Sequence, residues 1–369
     1  MIVKNGKVFG EDKKFVLRDL YIEDGIIVGD ANEIKDKTVI DATDCYVIPG
    51  LIDVHSHGAL GYDFSDADEE GLRRILVYQR TKGITSYCPT SMTLSPEKLE
   101  KVLHIAKRVK ASQNVGEEAV LVGINMEGPF LDYNKKGAHL EDNIMKPSID
   151  FFQRCNRDSG GLIRLVTLAP NQEGAIEFIK NLKEETQIAL GHTAATYEMS
   201  REAINAGAHH ITHLHNAMLP LQHREPGLIG AAAENSSCMA ELICDGVHVH
   251  ESMVRASFKL FPDRIILISD SIRATGMEDG LYELGGQQVT VSGKLATLDD
   301  GTIAGSVTNL FDCMRIAIAY GIEPETAIAA ATMNPAKSIG IYDRVGSLSV
   351  GKKADILLLD KDFRLKKVI

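Results

Sequence analysis

Histidine and carboxylate side chains recur in this chain at or just after short apolar runs that have the composition of strands. His55 and His57 are two residues apart, which places both rings on the same face of a strand. Glu127, His192 and His213 each follow another apolar run. Imidazole nitrogens and carboxylate oxygens are the ligands that zinc, iron and similar divalent ions take in proteins. The five residues therefore predict a hydrolytic metal centre, provided that the fold brings their strand ends together.

A sixth residue, Asp270, ends one more apolar run and is the best candidate for a general base. An aspartate beside a metal-activated water can take its proton and later pass it to a leaving amine. His215 shares a strand face with His213 if the strand continues, so both could bind metal, or His215 could line the site. We favour His213 because it lies closer to the strand itself. His209 and His210 are interpreted as helix-end or packing residues.

Strands that are parallel and closed would bring these side chains to one point. Over residues 50–340, apolar runs alternate with stretches of helical pattern, and strands that are apolar on both faces are typical of parallel sheets covered by helices. This alternation predicts an α/β fold, a (β/α)8 barrel of the TIM type. The predicted strands are Leu51–His57, Ile84–Cys88, Val120–Met126, Leu162–Leu168, Gln187–Gly191, His210–Thr212, Met239–Cys244 and Ile265–Ser269.

Helices are predicted between these strands, with one more after the eighth unit. The segment Ser95-Pro96-Glu97 is a typical helix start, with an N-cap serine, a proline in the first turn and an early acid. Residues 285–300 read as a β-hairpin inserted between the eighth strand and its helix. The predicted helices are Asp68–Lys82, Ser95–Ala111, Ile149–Ser159, Glu173–Glu185, Thr196–Ala206, Glu251–Phe261, Val307–Tyr320 and Pro324–Ala336.

Both chain ends have strand character and lie outside the predicted barrel. Residues 1–49 contain short alternating runs and the hairpin signal Glu23-Asp24-Gly25. The tail returns to strand character from Gly346 onward and includes a buried run that ends at Asp360. We therefore predict a small β-sandwich domain formed by residues 1–49 and 341–369, beside a catalytic barrel of residues 50–340.

Composition narrows the classes of partner. A net charge of −11 argues against a nucleic-acid surface and against an anionic membrane surface. No apolar run reaches the roughly 18 residues of a membrane span, and the amino terminus lacks the pattern of a signal peptide. The six cysteines are scattered, and most lie in apolar stretches. They are interpreted as reduced, buried thiols, so a cytoplasmic location is expected.

A series of motifs in the chain resembles the N-acetylglucosamine-6-phosphate deacetylases of the amidohydrolase superfamily. The resemblance extends over nearly the whole chain, and the tail from Gly346 to Asp355 matches the general superfamily ending. The motifs are Pro49–Gly58, Met126–Phe130, Lys136–His139, Gly191–Thr193, Thr212–Met218, Arg224–Gly227, Asp245–His248, Ser269–Asp270 and Ala304–Ser306.

The resemblance implies a role for each matching residue. Glu127, His192 and His213 match the core metal ligands, Asp270 matches the catalytic acid/base, and His139 matches the histidine that polarises the acetyl carbonyl. The match also implies a homodimer, in which an arginine reaches the phosphate of the neighbouring site. The residues that match sugar-phosphate contacts are Ala138, His139, Asn216, Ala217, Arg224, His248, Ile303, Ala304 and Gly305.

The number of metal ions stays open at this point. Members of the family differ at the two histidines of the first motif, and this chain keeps both His55 and His57. A second ion bridged by Glu127 is therefore permitted, giving one or two divalent ions per subunit. No lysine stands at the end of a predicted barrel strand, so the carbamylated lysine of many superfamily members has no counterpart here.

The implied reaction is removal of the N-acetyl group from N-acetyl-D-glucosamine 6-phosphate by metal-activated water, with Asp270 as general base and then acid. The partner is thus a small amino-sugar phosphate. One alternative uses the same machinery on N-acetylgalactosamine 6-phosphate. Two others are hydrolysis of a cyclic amide on the same barrel and a non-catalytic scaffold; the sugar-phosphate motifs argue against the first, and the complete set of Asp270, His139 and metal ligands argues against the second.

Overall fold

Strands and helices alternate along most of the chain in the computed structural model, which describes residues 1–369. The strands are β1 (Ile2–Phe9), β2 (Phe15–Glu23), β3 (Ile26–Val28), β4 (Val39–Asp41), β5 (Tyr46–Pro49), β6 (Leu51–Ser56), β7 (Gly58–Ala59), β8 (Tyr62–Asp63), β9 (Ile84–Ser91), β10 (Val120–Leu121), β11 (Ile124–Phe130), β12 (Ile163–Leu168), β13 (Gln187–Leu190), β14 (His210–Ile211), β15 (Met239–Ile243), β16 (Ile265–Ile268), β17 (Gly280–Leu284), β18 (Gln287–Ser292), β19 (Leu295–Thr297), β20 (Ile356–Leu359) and β21 (Leu365–Val368). The α-helices are α1 (Glu69–Thr81), α2 (Pro96–Ala111), α3 (Ile149–Asp158), α4 (Ala175–Leu182), α5 (Tyr197–Ala206), α6 (Gly227–Glu234), α7 (Glu251–Leu260), α8 (Leu310–Ala319), α9 (Pro324–Ala331) and α10 (Met333–Ser338).

Eight parallel strands form the barrel. In chain order they are β6, β9, β11, β12, β13, β14, β15 and β16, and each pairs with the next, while the short β10 runs beside β9 just before β11 begins. The ring is completed between the last and first strands, where the backbone N–H of Asp270 donates to the carbonyl of His55 at 2.9 Å. The predicted (β/α)8 barrel is confirmed. Consequently the carboxyl ends of all eight strands face one mouth.

The helices differ from the prediction in two places. Each barrel strand is followed by one helix from α1 to α8, but α6 was not predicted. Its sequence, Gly-Leu-Ile-Gly-Ala-Ala-Ala-Glu, is apolar almost all round and has no polar face to mark a period. The predicted helix Pro324–Ala336 is two helices, α9 and α10, which meet at Thr332. Pro335 lacks an N–H and fits only the first turn of a helix, so a new helix begins just before it.

Two local predictions about strand ends were wrong. Glu127 does not follow its strand, because β11 continues to Phe130 and contains Glu127. His213 and His215 do not share a strand face: β14 ends at Ile211, and both histidines have positive φ angles, of 28° and 79°. The alternation of side chains applies only to extended backbone, so their two-residue spacing does not aim them at one point.

The two chain ends meet in one sheet. Strands β1 to β5 and the carboxyl-terminal β20 and β21 form a seven-stranded sheet in which β20 pairs antiparallel with β5. The first half of β1 pairs with β4 and its second half with β5, both in parallel. The inserted hairpin has a further strand, so that β17, β18 and β19 form a three-stranded antiparallel sheet. This sheet precedes α8 and stands at the barrel mouth, where Leu284 lines the cleft described below.

The opposite end of the barrel is closed by apolar packing. Apolar side chains of the barrel strands, among them Ile52 and Leu165, cluster with Ile339, Ile341 and Val345, which follow α10. The carboxyl-terminal segment thus covers the amino-terminal ends of the strands on its way to β20. The main apolar cluster lies between the barrel strands and the surrounding helices, and a third one lies in the small sheet. Among the helices, none combines the length and the hydropathy that a membrane crossing requires.

Candidate metal centre and active site

The predicted metal ligands converge on one buried carboxylate at the barrel mouth. Glu127 Oε1 lies 3.1 Å from Nε2 of His192 and 3.1 Å from Nε2 of His213. Nε2 of His55 lies 3.3 Å from the same oxygen, and Nε2 of His57 lies 3.3 Å from Oε2. The two facing imidazoles of His192 and His213 have their Nε2 atoms only 2.9 Å apart. Five side chains from four strands therefore meet within one small volume.

Hydrogen bonds on the far side of three of these rings fix where their protons lie. Nδ1 of His192 is 2.8 Å from the carbonyl of Lys135, and Nδ1 of His57 is 3.1 Å from the carbonyl of Thr90. A carbonyl only accepts, so both Nδ1 atoms carry a proton, and in the neutral rings both Nε2 atoms present lone pairs. Nδ1 of His55 faces the carboxylate of Glu241 at 2.8 Å, with the same consequence. When these rings are neutral, three lone pairs thus point at the Glu127 carboxylate.

His139 lies beside the same carboxylate, but its neutral ring carries the proton on the other nitrogen. Its Nε2 is 3.4 Å from Glu127 Oε2, close enough for distance alone to admit it as a ligand. However, its Nδ1 accepts the backbone N–H of Thr93 at 3.1 Å. In the neutral ring the proton therefore sits on Nε2, which is a donor rather than a lone pair. Burial lowers the pKa of His139 to about 4, against the opposing effect of Glu127, so the neutral form is favoured.

Asp270 stands next to the cluster on the side of β6. Its Oδ1 is 3.2 Å from Nε2 of His57 and 3.6 Å from Nε2 of His55. Its backbone is held from both sides, since its N–H donates to His55 and its carbonyl accepts the N–H of Ser306 at 2.8 Å. Burial would raise the pKa of Asp270, but His57 and His55 more than offset this and lower it. The carboxylate is therefore ionised and able to accept a proton.

The charges of the cluster require a cation. Burial would raise the pKa of Glu127, yet the surrounding imidazoles lower it well below its ordinary value. Burial would likewise lower the pKa of His57, yet Asp270 and Glu127 raise it to about 10. Buried oxygen and nitrogen lone pairs that face one another are stable only if positive charge lies between them, as protons or as a metal ion. Four imidazoles and a carboxylate are a donor set that fits a divalent transition metal, and Nε2 of His55 has no hydrogen-bond partner of its own.

Two buried carboxylates behind the cluster hold the first barrel strand, β6, in place, and they were not predicted from the sequence. Glu241, on β15, accepts hydrogen bonds from His55 Nδ1 at 2.8 Å and His210 Nε2 at 2.8 Å. Asp53, on β6, accepts the Ser269 hydroxyl at 2.6 Å. Glu241 is the one polar residue of β15, and that isolation is the signal that could have identified it, because an unpaired buried charge is costly. His210, interpreted from the sequence as a helix-end or packing residue, is instead a buried residue of β14 that hydrogen-bonds to Glu241.

The backbone at the mouth is strained. Positive φ angles of 45°, 28° and 48° occur at His192, His213 and Asp270, none of which is glycine. Such conformations cost about 1–3 kcal/mol each and persist where the surroundings impose them. Gly191 precedes the first of these residues, and a Cβ there would lie 2.6 Å from Cβ of Thr212. The close approach of neighbouring strands thus excludes any larger residue just before His192.

The cluster forms the floor of a cleft of about 470 Å³. Seven of the residues predicted to contact a sugar phosphate line this cleft, whereas Ala304 is buried behind it and Arg224 is exposed outside it. His215 does not reach the floor either, because its Nε2 bonds to the hydroxyl of Ser257 on α7. The predicted residues that line the cleft wall are Ala138, His139, Asn216, Ala217, His248, Ile303 and Gly305.

Three polar lining residues were not predicted: Asn134, Lys135 and Thr302. Lys135 is the one lysine or arginine that lines the cleft of its own chain. His248, which was predicted, gains positive character: burial would lower its pKa, but Asp245, 2.8 Å away, raises it. Lys135 and His248 therefore favour positive charge in the cleft of a chain whose net charge is −11.

A parallel barrel with a histidine and carboxylate cluster at the carboxyl ends of its strands defines a metal-dependent hydrolase of the amidohydrolase type. The model of the amidohydrolase family matches residues 46–369. The chain therefore belongs to the amidohydrolase family, and within it to the N-acetylglucosamine-6-phosphate deacetylases.

Proteins named for this activity or for its N-acetylgalactosamine counterpart are similar to the chain over most of its length. The chain is 40% identical over 332 residues to the N-acetylglucosamine-6-phosphate deacetylase of Bacillus subtilis (strain 168), covering 88% of this chain and 83% of that protein. It is 33% identical over 352 residues to the N-acetylgalactosamine-6-phosphate deacetylase of Escherichia coli O157:H7, covering 95% and 92%. It also resembles the structure of a mutant N-acetyl-D-glucosamine-6-phosphate deacetylase from Mycobacterium smegmatis in complex with N-acetyl-D-glucosamine-6-phosphate, with a TM-score of 0.91, 32% identity and coverage of 100% and 97%.

Proposed function

We propose that this protein hydrolyses the acetamide of N-acetyl-D-glucosamine 6-phosphate to give acetate and glucosamine 6-phosphate. The observation that carries the proposal is the convergence of four imidazole Nε2 atoms on Glu127, with the ionised Asp270 beside them. The relatives named for this reaction, one of them in complex with the substrate, support it. We assign the catalytic barrel to residues 50–340 and a small β domain to residues 1–49 and 341–369.

The metal-binding residues define two overlapping positions. His192 and His213 share Oε1 of Glu127. Nε2 of His55 lies against the same Oε1 and Nε2 of His57 against Oε2, so Glu127 would be a ligand common to both pairs of histidines. We assign one or two divalent ions per subunit, zinc, iron or a similar metal. Such an ion, when bound, polarises the acetamide carbonyl and lowers the pKa of the attacking water.

Asp270 and His139 supply the protein's own part of the chemistry. Asp270 accepts the proton of the attacking water and then delivers it to the amide nitrogen, which leaves as the amine. His139 donates its Nε2–H to the carbonyl oxygen, where negative charge develops during the attack. This follows from its tautomer, since the ring presents a donor where its neighbours present lone pairs. A donor in this role lowers the barrier by about 3–4 kcal/mol.

The sugar phosphate binds to the polar lining residues of the cleft that are not part of the metal cluster. His248 and Lys135 offer positive charge there, and Asn216 offers an amide. We also propose that Arg224 binds the phosphate of the neighbouring subunit in a homodimer. Arg224 lies in an exposed loop of its own chain and outside its own cleft, which is compatible with this role. The six cysteines are all free and buried, which supports a reducing, cytoplasmic location.

The proposal that Arg224 acts in the active site of the neighbouring subunit can be tested by combining two inactive variants. Co-expressed Arg224→Ala and Asp270→Asn chains should form mixed dimers in which one site has both residues. About a quarter of the wild-type activity is then expected, because half of the dimers are mixed and each has one complete site. If Arg224 acts in its own subunit, or does not act at all, no activity beyond that of the separate variants will appear.

A second substrate is favoured by one specific relative, the N-acetylgalactosamine-6-phosphate deacetylase. The two sugars differ only in the configuration of one ring hydroxyl, and the acetamide and phosphate contacts are common to both. Acetate release should therefore be measured on both sugar phosphates with the same metal-analysed preparation. A higher kcat/KM on the glucosamine derivative is expected, and the opposite order would reassign the substrate. Absence of acetate release from either sugar, with metal bound, would contradict the proposed reaction.

A further inference from the structure

A second polar cavity lies at the opposite end of the barrel. It has a volume of about 150 Å³ and shares no lining residue with the catalytic cleft. Its walls come from the first residues of the barrel strands, from the end of α2, and from the carboxyl-terminal segment that crosses beneath the barrel. The residues around it are Ser86, Lys110, Val120, Val122, Leu162, Arg164, Ile341, Arg344, Val345, Lys353 and Asp355.

Four cationic side chains surround this small volume. No carboxylate oxygen lies within 4.0 Å of the side-chain nitrogens of Lys110, Arg164 or Lys353, and Arg344 has only its exposed neighbour Asp343, at 3.9 Å. The sole carboxylate in the cavity wall is Asp355. A cluster of positive charge without counter-ions is unusual in a chain of net charge −11, which has acidic partners to spare.

Buried polar atoms in the wall also lack partners. The hydroxyl of Ser86 is almost fully buried, at 1% exposure of the residue, and makes no hydrogen bond. Nε of Arg164 and Oδ2 of Asp355 are likewise buried without a partner. Buried polar groups are normally satisfied, so the unpaired donors of Ser86 and Arg164 favour a ligand that accepts hydrogen bonds. A hydroxyl and a guanidinium are both donors to an oxyanion.

The mutual repulsion of these cations affects the pKa of Lys110. Burial lowers the pKa of Lys110, and the positive charges of Lys353 and Arg344 lower it further. Asp355 is the one acid beside them, and burial raises its pKa against the opposing effects of Lys353 and Arg80. An anion in the cavity would relieve the repulsion and satisfy the unpaired donors at the same time.

We propose that this cavity binds a small oxyanion of the phosphate class. Its volume of about 150 Å³ is below the 300–1,000 Å³ range of pockets for larger ligands, so an inorganic phosphate ion fits it and a whole amino-sugar phosphate does not. Ser86 and Arg164 belong to the barrel, whereas Arg344 and Lys353 belong to the carboxyl-terminal segment. The bound anion therefore fastens that segment, and with it the small β domain, to the floor of the barrel.

Thermal unfolding of the metal-loaded protein tests this site with inorganic phosphate as the probe and potassium chloride at matched ionic strength as the reference. Phosphate should raise the melting temperature of the wild type, because a ligand of the folded state stabilises it. Arg164→Gln and Lys353→Gln should lose at least half of this rise. Lys361→Gln, which removes an exposed lysine outside the cavity, is the matched control and should keep it. Phosphate bound in the catalytic cleft contributes equally to all of these proteins.

The order of stabilities gives a signature that a merely structural cation would not produce. Without phosphate, Arg164→Gln and Lys353→Gln should melt at or above the wild type, because repulsion is relieved; with phosphate they should melt below it. Asp355→Asn should increase the phosphate-dependent rise, since it removes the one negative charge. If the variants melt lower than the wild type in both buffers by the same amount, the site does not bind phosphate.

Isothermal titration calorimetry gives an independent answer. Wild type should bind phosphate with one more site per chain than Arg164→Gln, and equal stoichiometry would overturn the proposal. Glucosamine 6-phosphate is the second probe, and its stabilising effect should be the same in wild type and Arg164→Gln because it is too large for the cavity. A loss of that effect in the variant would overturn the assignment to an inorganic oxyanion.

Discussion

Replacing Glu241 by glutamine should weaken metal binding at His55 while leaving the barrel folded. Oε2 of Glu241 accepts the Nδ1–H of His55 at 2.8 Å and the backbone N–H of His213 at 3.1 Å. Oε1 faces Nε2 of His210 at 2.8 Å. In glutamine the oxygen can keep the first two bonds, and the amide group then faces His210. That ring can turn a lone pair to the amide by moving its proton to Nδ1, which lies 2.6 Å from the hydroxyl of Ser338.

The change therefore removes a charge rather than a set of hydrogen bonds. A carboxylate behind a ligating histidine makes the ring a stronger ligand, and loss of such a partner typically costs 10–100-fold in metal affinity, about 1.4–2.8 kcal/mol. Glu241→Ala would instead leave three donors around the empty position, at about 1–3 kcal/mol each. That sum is comparable to the whole stability of many domains, so glutamine is the informative replacement.

The assay is a competition titration with a chelator, followed by elemental analysis, together with the melting temperature of each variant. Glu118→Gln is the matched control, because Glu118 is a buried carboxylate too, 5% exposed, and pairs with Arg73 at 3.1 Å away from the metal centre. We expect normal metal affinity in the control and a 10–100-fold loss for the ion held by His55 in Glu241→Gln. Equal affinity in a folded Glu241→Gln protein would refute the reasoning.

Three further outcomes follow from the site. Asp270→Asn should lower acetate release by about 10²–10⁴-fold while metal content stays unchanged, and retained turnover would exclude Asp270 as the proton carrier. His139→Phe should lower kcat by about 10²–10³-fold with metal content intact, whereas loss of metal would make His139 a ligand. In chelator-treated protein, Asp270 and Glu127 raise the pKa of His57 from 6.5 to about 10 against the effect of burial, so the protonated ring stabilises the fold. This stabilisation is complete below pH 6.5 and is lost as the pH rises through about 10, so the melting temperature measured by calorimetry should fall over that interval. A flat profile would contradict the pairing.

The barrel could be predicted from the sequence because each of its layers has a distinct pattern. Strands such as Ile163–Leu168 and Ile265–Ile268 are buried on both faces and are bounded by helices with one apolar face. Helix α6 has no such contrast, so nothing in its composition separates it from a buried loop. The break between α9 and α10 is a local effect of Pro335, which the apolar pattern of the segment does not reveal.

The site could be predicted in part, because strand ends of a parallel barrel converge whatever their order in the sequence. That rule brings Glu127, His192 and His213 together without knowledge of any side-chain contact. It gives no information on backbone conformation after a strand ends. The turn of His215 towards Ser257 could therefore not be predicted. Nor does it show Glu241 behind His55, since a single acid in a strand has a partner only in three dimensions.

The roles of the imidazoles depend on contacts that no spacing rule contains. His57, His192 and His139 all present Nε2 to Glu127 at 3.1–3.4 Å. The first two have a backbone carbonyl behind Nδ1, whereas His139 has a backbone N–H. That single difference makes two of the rings lone-pair donors to a cation and the third a hydrogen-bond donor to a developing oxyanion. The backbone groups that decide it belong to Thr90, Lys135 and Thr93, all remote in sequence from the rings they contact, so binding and catalysis are divided among identical side chains by the fold alone.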